Sequence, residues 1–193
     1  KIELTILIFT ELLINVNFVA MQHIFFLFII SMLSFIMADN QVVYHVSIQG
    51  TIDMGLPHYL QRVINQAEAE DVTAIIFDID TFGGRVDAAT QMKDVILDSK
   101  IPTVAFINKR AISAGALISL SCDSIFMTAG ASIGAATAVD LQGEKASEKI
   151  ISYMREEMAS TAEANHRLRA IATAMVDEEL SIPFIVNSWG DTL

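Results

Sequence analysis

The rhythm of apolar and polar positions changes at about residue 40. Upstream, apolar residues run almost unbroken: between Ile24 and Met37 lie fourteen residues whose only polar members are two serines. That run is shorter than the roughly 20 residues a membrane span needs, and it has the length of a secretory signal core. Ala38 is the expected last residue before cleavage, and a retained membrane anchor over 21–38 is the alternative. Met21 opens this segment, so residues 1–20 are expected to lie upstream of the true start and are set aside from the fold.

From Gln41 onward, strand and helix rhythms alternate. Val42–Ile48 is β-branched and predicts a first strand. Leu56, Leu60, Val63, Ile64 and Ala67 recur at helical spacing and predict a helix over 56–69. Thr73–Ile79 is a continuous apolar run, as expected of a strand covered on both faces. A break at Asp80-Thr81-Phe82-Gly83-Gly84 follows, then a helix over Val86–Leu97, a buried strand over Thr103–Ile107, a helix over Ser113–Ser121 and a short strand over Ser124–Met127. Residues 129–147 read as a loop with a brief extended piece at Ser132–Gly134. No Gly or Pro interrupts 147–176, which predicts one long helix. The repeated β-α-β order implies a single α/β domain over 39–193 with a mainly parallel sheet.

Composition adds limits. The chain of 193 residues carries 12 Lys and Arg against 23 Asp and Glu, a formal net charge of −11, and no basic stretch with interleaved aromatics. A nucleic-acid surface is therefore not expected. Cys122 is the single cysteine, which excludes an intramolecular disulfide and fits a buried structural thiol. The histidines (His23, His45, His58, His166) are scattered, without zinc spacing or a local Ser-His-Asp pattern.

Three segments could carry chemistry. The paired glycines Gly83-Gly84 end a buried strand, where a tight turn can present amide N–H groups to a ligand; a simple βα turn is the plain alternative. They match neither a dinucleotide fingerprint nor a P-loop. Ser113 lies where a strand enters a helix. It reads either as an N-cap or as a nucleophile whose oxyanion the helix N-terminus would favour. Lys149 opens the last helix beside Ile150, Ile151 and Tyr153. It reads either as a solvated surface lysine or as one drawn toward a dry pocket, where loss of solvation lets it accept a proton.

In combination, strand–DTFGG, then ISAGALISLS, then SIFMTAGASIGAATAV, then EKIISYMREEMASTAEANHR resembles the N-terminal protease domain of NfeD-type membrane proteins, the ClpP class of membrane-bound serine proteases. It is more distantly similar to signal peptide peptidase A and the Clp proteolytic subunit. The resemblance spans about Val42 to Asp177. It implies an α/β fold of ClpP/crotonase type, a spiral of ββα units with a mainly parallel sheet, and a Ser–Lys dyad. By motif, Ser113 is the nucleophile and Lys149 the base. Lys145 is the rival, but Tyr153 and Arg167 match the family's spacing only if Lys149 is chosen. The oxyanion hole falls to the backbone of Gly84 and Ala114, with Gly83 and Phe82 beside the substrate.

Phe82 stands where the family usually has proline, which leaves the loop less constrained. The family also continues past Leu193 into membrane spans and a further small domain, so truncation at the C-terminus is expected. The resemblance implies peptide hydrolysis on the extracytoplasmic side of a membrane, with hydrophobic segments of membrane proteins such as stomatin-like partners as substrates. Self-association into dimers or larger assemblies is expected, and no metal or organic cofactor is implied. Two other readings are a catalytically idle scaffold and, more remotely, a crotonase-like acyl-CoA enzyme using the same backbone hole.

Overall fold

The computed structural model describes residues 21–23, 25–28, 41–139 and 142–183. The chain separates into two units, 1–41 and 42–193. In the first, residues 21–23 and 25–28 are helical; the expected cleavage site at Ala38 and residues 1–20 lie outside the described residues. Among the described residues no helix is long and apolar enough to cross a membrane.

The second unit alternates strands and helices in the order β1 (Val43–Ile52), α1 (Gly55–Ala69), β2 (Ala74–Gly84), α2 (Val86–Leu97), β3 (Thr103–Ile112), α3 (Ala114–Ser121), β4 (Ser124–Met127), β5 (Ser132–Gly134), α4 (Glu148–Ala164) and α5 (Arg169–Ala174). The sheet runs β1-β2-β3-β4, with β5 also on β3, and every pairing is parallel. Parallel neighbours require crossovers, and the predicted helices supply them.

Burial explains the register. Ile75, Phe77, Ile79 and Thr81 alternate inward along β2 and are fully buried, as are Ala105, Ile107 and Ala111 on β3. The opposite face is only half-covered: Ile76, Asp78, Val104 and Phe106 are intermediate in exposure. This corrects the expectation of strands covered on both faces. An apolar run of this length fills one face with core and leaves the other partly covered, where Asp78 meets His45 and Asp80 meets Arg110. Each helix buries a stripe: Leu60, Ile64 and Ala67 on α1, Ala89, Met92 and Ile96 on α2, and Met154, Met158 and Ala162 on α4. Helix α3 is buried on all sides, so it is the centre of the packing rather than a surface layer.

Several boundaries differ from the sequence expectation, among them the end of β3, which runs past Ile107 to Ile112. The DTFGG segment does not break the strand: β2 continues through it to Gly84, and β1 continues alongside, with register shifts between Gln49 and Thr51 and between Ile79 and Thr81. The last helix is interrupted instead of continuous. It ends at Ala164, His166 takes a positive φ of 58°, and α5 restarts at Arg169. Asn165 and Arg167 are drawn away to the far end of α3, so tertiary bonding overrides local helical preference.

Candidate active site

Ser113 joins the end of β3 to the start of α3 with φ 55° and ψ −115°. This lies outside the ordinary helical and extended regions of a non-glycine residue, a strain of order 1–3 kcal/mol that persists only where the surroundings impose it. The surroundings do so from both sides. The Ser113 N–H donates to the Gly134 carbonyl of β5 at 2.9 Å, and the Ser113 carbonyl accepts from the Ala116 N–H at 2.9 Å. Its side chain makes no capping bond, and a cap would have extended backbone. Ser113 stands at the N-cap position, its carbonyl taking the first helical bond, but its side chain does not cap the helix. It occupies a sharp strand-to-helix turn at the carboxyl end of β3.

The glycine pair lies against this turn. Gly83 has φ 109°, and a methyl group placed there would stand 2.7 Å from Ser113 Cβ and 3.2 Å from its Oγ. Only a glycine leaves room for the hydroxyl. Gly84 is pressed onto β1, where a Cβ would meet the Ile52 carbonyl oxygen at 2.2 Å. Thr81, fully buried, ties the loop down: its Oγ1 donates to the Gly50 carbonyl at 2.5 Å and accepts from the Gly83 N–H at 2.9 Å. The Gly83 N–H is thus committed internally. At the start of α3 the Ala114 N–H has no acceptor among the described residues, as expected for the first turn of a helix.

The lysines lie differently. Lys149 is exposed, and among the described residues no hydrogen bond or ion pair joins it to Ser113. Of its two readings, the solvated one holds among the described residues: Ile151 and Met154 of the same turns are buried, but Lys149 is exposed. Lys145 is also exposed, yet it lines a cavity of about 830 Å³ beginning one residue past the glycine pair, together with Arg85, Val86, Val139, Ile150 and Tyr153. The structure thus gathers Ser113, Gly83, Gly84 and Ala114 at one point and leaves both lysines outside bonding contact with the serine.

Several supporting residues escaped the sequence reading or received no role in it. Arg167 donates to the carbonyls of Leu120 at 2.9 Å, Cys122 at 2.8 Å and Asp123 at 3.0 Å, and Asn165 donates to Leu120 at 2.9 Å. These are the orphan acceptors at the C-terminal end of α3, where a positive charge also matches the helix dipole. Lys93 of α2 is mostly buried and bonds Glu157 of α4 at 3.0 Å. Desolvation would lower its pKa, but the carboxylates of Asp94 and Glu157 outweigh this and hold it above the usual lysine value. Cys122 is fully buried and desolvation pushes its thiol pKa up, so it offers no competing nucleophile. His45 contacts Asp78 at 3.4 Å on the more exposed sheet face.

With this geometry in hand, the similarities to known proteins take on meaning. The chain is 39% identical over 156 residues to the membrane protein NfeD1b of Bacillus subtilis (strain 168), covering 81% of the chain and 36% of that protein. It is 33% identical over 155 residues to the membrane-bound protease PH1510 of Pyrococcus horikoshii, covering 76% of the chain and 35% of that protein. The chain therefore spans about a third of the length of these relatives.

Among solved structures, the 1510-N membrane-bound stomatin-specific protease, as a serine-to-alanine mutant, superposes with a TM-score of 0.68 at 32% identity, covering 74% of this chain and 72% of that one. A lysine-to-alanine mutant of the same protease, in complex with a substrate peptide, gives the same TM-score and identity, covering 75% and 69%. ClpP1 from Listeria monocytogenes shares the fold at a TM-score of 0.57 and 22% identity, covering 70% and 80%. The family described as NfeD1b, N-terminal domain, matches residues 42–193, and the chain belongs to that family.

Proposed function

We propose that this domain is a serine endopeptidase acting through a Ser113–Lys149 dyad. The observation that carries the reading is the backbone of Ser113: a strained, positive-φ turn, its side chain making no capping bond, at the mouth of a buried helix. Strain of this kind persists at nucleophiles because it fixes the hydroxyl before substrate arrives. The similarity to a protease studied as serine and lysine mutants supports the same assignment.

In this mechanism neutral Lys149 takes the Ser113 proton as Oγ attacks the peptide carbonyl. The N–H groups of Gly84 and Ala114 receive the oxyanion, each worth on the order of 3 kcal/mol in comparable sites. The Lys149 ammonium then protonates the leaving amine, and water hydrolyses the Ser113 ester. Catalytic contacts that are open without substrate tighten when it binds, which accommodates an exposed Lys149. One observation favours a second reading: Lys145, not Lys149, lines the cavity beside the glycine pair.

The cavity, walled by Val86, Ala138, Val139 and Ile150, supports apolar side chains as the substrate class, beside Gly83 and Phe82. Hydrophobic segments of membrane proteins, including stomatin-like ones, are the substrates this implies, with the domain at the extracytoplasmic face of a membrane and self-associated. Incubating the protein with peptides carrying an apolar run, and reading products by mass spectrometry, tests the proposal. Cleavage by wild type and none by Ser113→Ala is expected. Equal cleavage by both, or none by either with biological activity kept in Ser113→Ala, would favour a scaffold.

A further inference from the structure

Phe82 is the residue before the glycine pair, and its side chain is 73% exposed. An apolar ring left in water at this point would be expected to wander, and with it the loop that must face Ser113. It is held instead. The Arg110 guanidinium carbon lies 4.5 Å from the centre of the Phe82 ring, within cation–π range. Arg110 Nε in turn lies 3.2 Å from Asp80 Oδ1, with Lys109 Nζ 3.9 Å from the same carboxylate. A planar guanidinium fixed at one edge by a carboxylate presents its flat face to the ring.

The register explains why these groups meet. Thr81 of β2 pairs with Ala111 of β3, so Asp80 and Phe82 flank Thr81 on the face that Arg110 shares. Thr81 grips the loop from the other face, through Gly50 and the Gly83 N–H. Arg110 lies on β3, three residues before Ser113, which follows the strand's last residue. The strand that delivers the nucleophile thus also carries the clamp on the loop opposite it. In the family resemblance, proline at position 82 would fix φ covalently. Here a non-covalent contact occupies that position.

We propose that Arg110 is a positioning residue for hydrolysis: by stacking on Phe82 it holds the Thr81–Gly84 loop in place against Ser113, substituting for the rigidity a proline would give. This rests on the peptidase reading above. The test is a double-mutant cycle on the full chain, with fluorophosphonate labelling of Ser113 and peptide kcat and KM as readouts and circular dichroism melts as a check of folding. Arg110→Ala is expected to lower kcat and labelling rate about tenfold, with KM within about twofold; Phe82→Ala, which also removes a ring beside the substrate, is expected to lower the labelling rate by a similar factor. In a Phe82→Pro background, Arg110→Ala is expected to cost less than twofold, because the loop no longer depends on the contact.

An equal cost of Arg110→Ala in both backgrounds would overturn the positioning role, since a purely structural residue acts additively. So would unchanged kcat in folded Arg110→Ala while the wild type remains Ser113-dependent. Absence of Ser113-dependent labelling in the wild type would instead overturn the peptidase reading, and the clamp with it.

Discussion

The Ser113 side and the Lys149 side of the proposed site are built in different ways. Ser113 is set by strands: β3 delivers it, β5 holds its N–H through Gly134, and the β2 loop passes so close that position 83 admits no side chain. Lys149 is set by one face of α4 and bonds to nothing that faces Ser113 among the described residues. Strand ends fix atoms through backbone geometry. A lysine on a first helical turn keeps its rotamer freedom, and ordering it costs entropy that substrate must offset. Under the proposed mechanism, the serine half exists before substrate arrives and the dyad is completed by binding.

The largest expected break in that contrast is at the glycines. Gly84→Ala would place a methyl group 2.2 Å from the Ile52 carbonyl oxygen, and loss of folding by more than about 4 kcal/mol is expected in denaturant titration. Gly83→Ala meets Ser113 Cβ at 2.7 Å and the Ile112 carbonyl oxygen at 3.1 Å, at a φ of 109° that disfavours a side chain. It should cost less stability than Gly84→Ala while lowering peptide hydrolysis by about 10²–10³-fold. If Gly83→Ala hydrolysed peptide at the wild-type rate, the close-packed serine half would be wrong.

Arg167→Ala should act on α3, the helix that follows Ser113, from its far end. Removing the cation that serves three carbonyls is expected to cost about 2 kcal/mol and to lower Tm by about 6 °C in a calorimetric scan. An unchanged Tm would mean that Asn165 and water satisfy the helix end alone.

The smallest effect concerns the tie between α2 and α4. Lys93→Met leaves the Glu157 carboxylate without its cation and should cost about 1–2 kcal/mol, read in urea melts. The sign with pH follows from a folded pKa above the unfolded value. The stabilisation is complete below about pH 10.4 and is lost only as pH rises through the still higher folded value. Between pH 6 and 10 the wild type should therefore show no stability change from this group, and a change of activity in that range would have another origin.

Much of this was legible in the chain, for reasons tied to particular residues. Apolar spacing of Leu60, Ile64 and Ala67, and of Met92 and Ile96, announces helices because one face must be buried. The order of the four motifs carries the family. Less visible was the split after Ala164, because Asn165 and Arg167 are helix-compatible residues recruited by carbonyls some 45 positions earlier. The role of Thr81 was hidden for a similar reason: its partner, the Gly50 carbonyl, sits in a bulge that no periodicity reveals. The clamp of Arg110 on Phe82 depends on strand register, which sequence spacing alone does not give. The exposure of Lys149, one of the two readings its neighbours allow, is decided by packing, which turns Ile151 and Met154 inward without taking Lys149 along.

The most direct test of the central claim is fluorophosphonate labelling of wild type, Ser113→Ala, Lys149→Ala and Lys145→Ala across pH 6 to 10. A serine activated by a lysine should label faster as pH rises and the base loses its proton. Labelling should vanish in Ser113→Ala, fall at least about 100-fold in Lys149→Ala and persist in Lys145→Ala. Labelling that is flat with pH and insensitive to Lys149→Ala would contradict the dyad, and loss in Lys145→Ala alone would move the base to the lysine on the cavity wall.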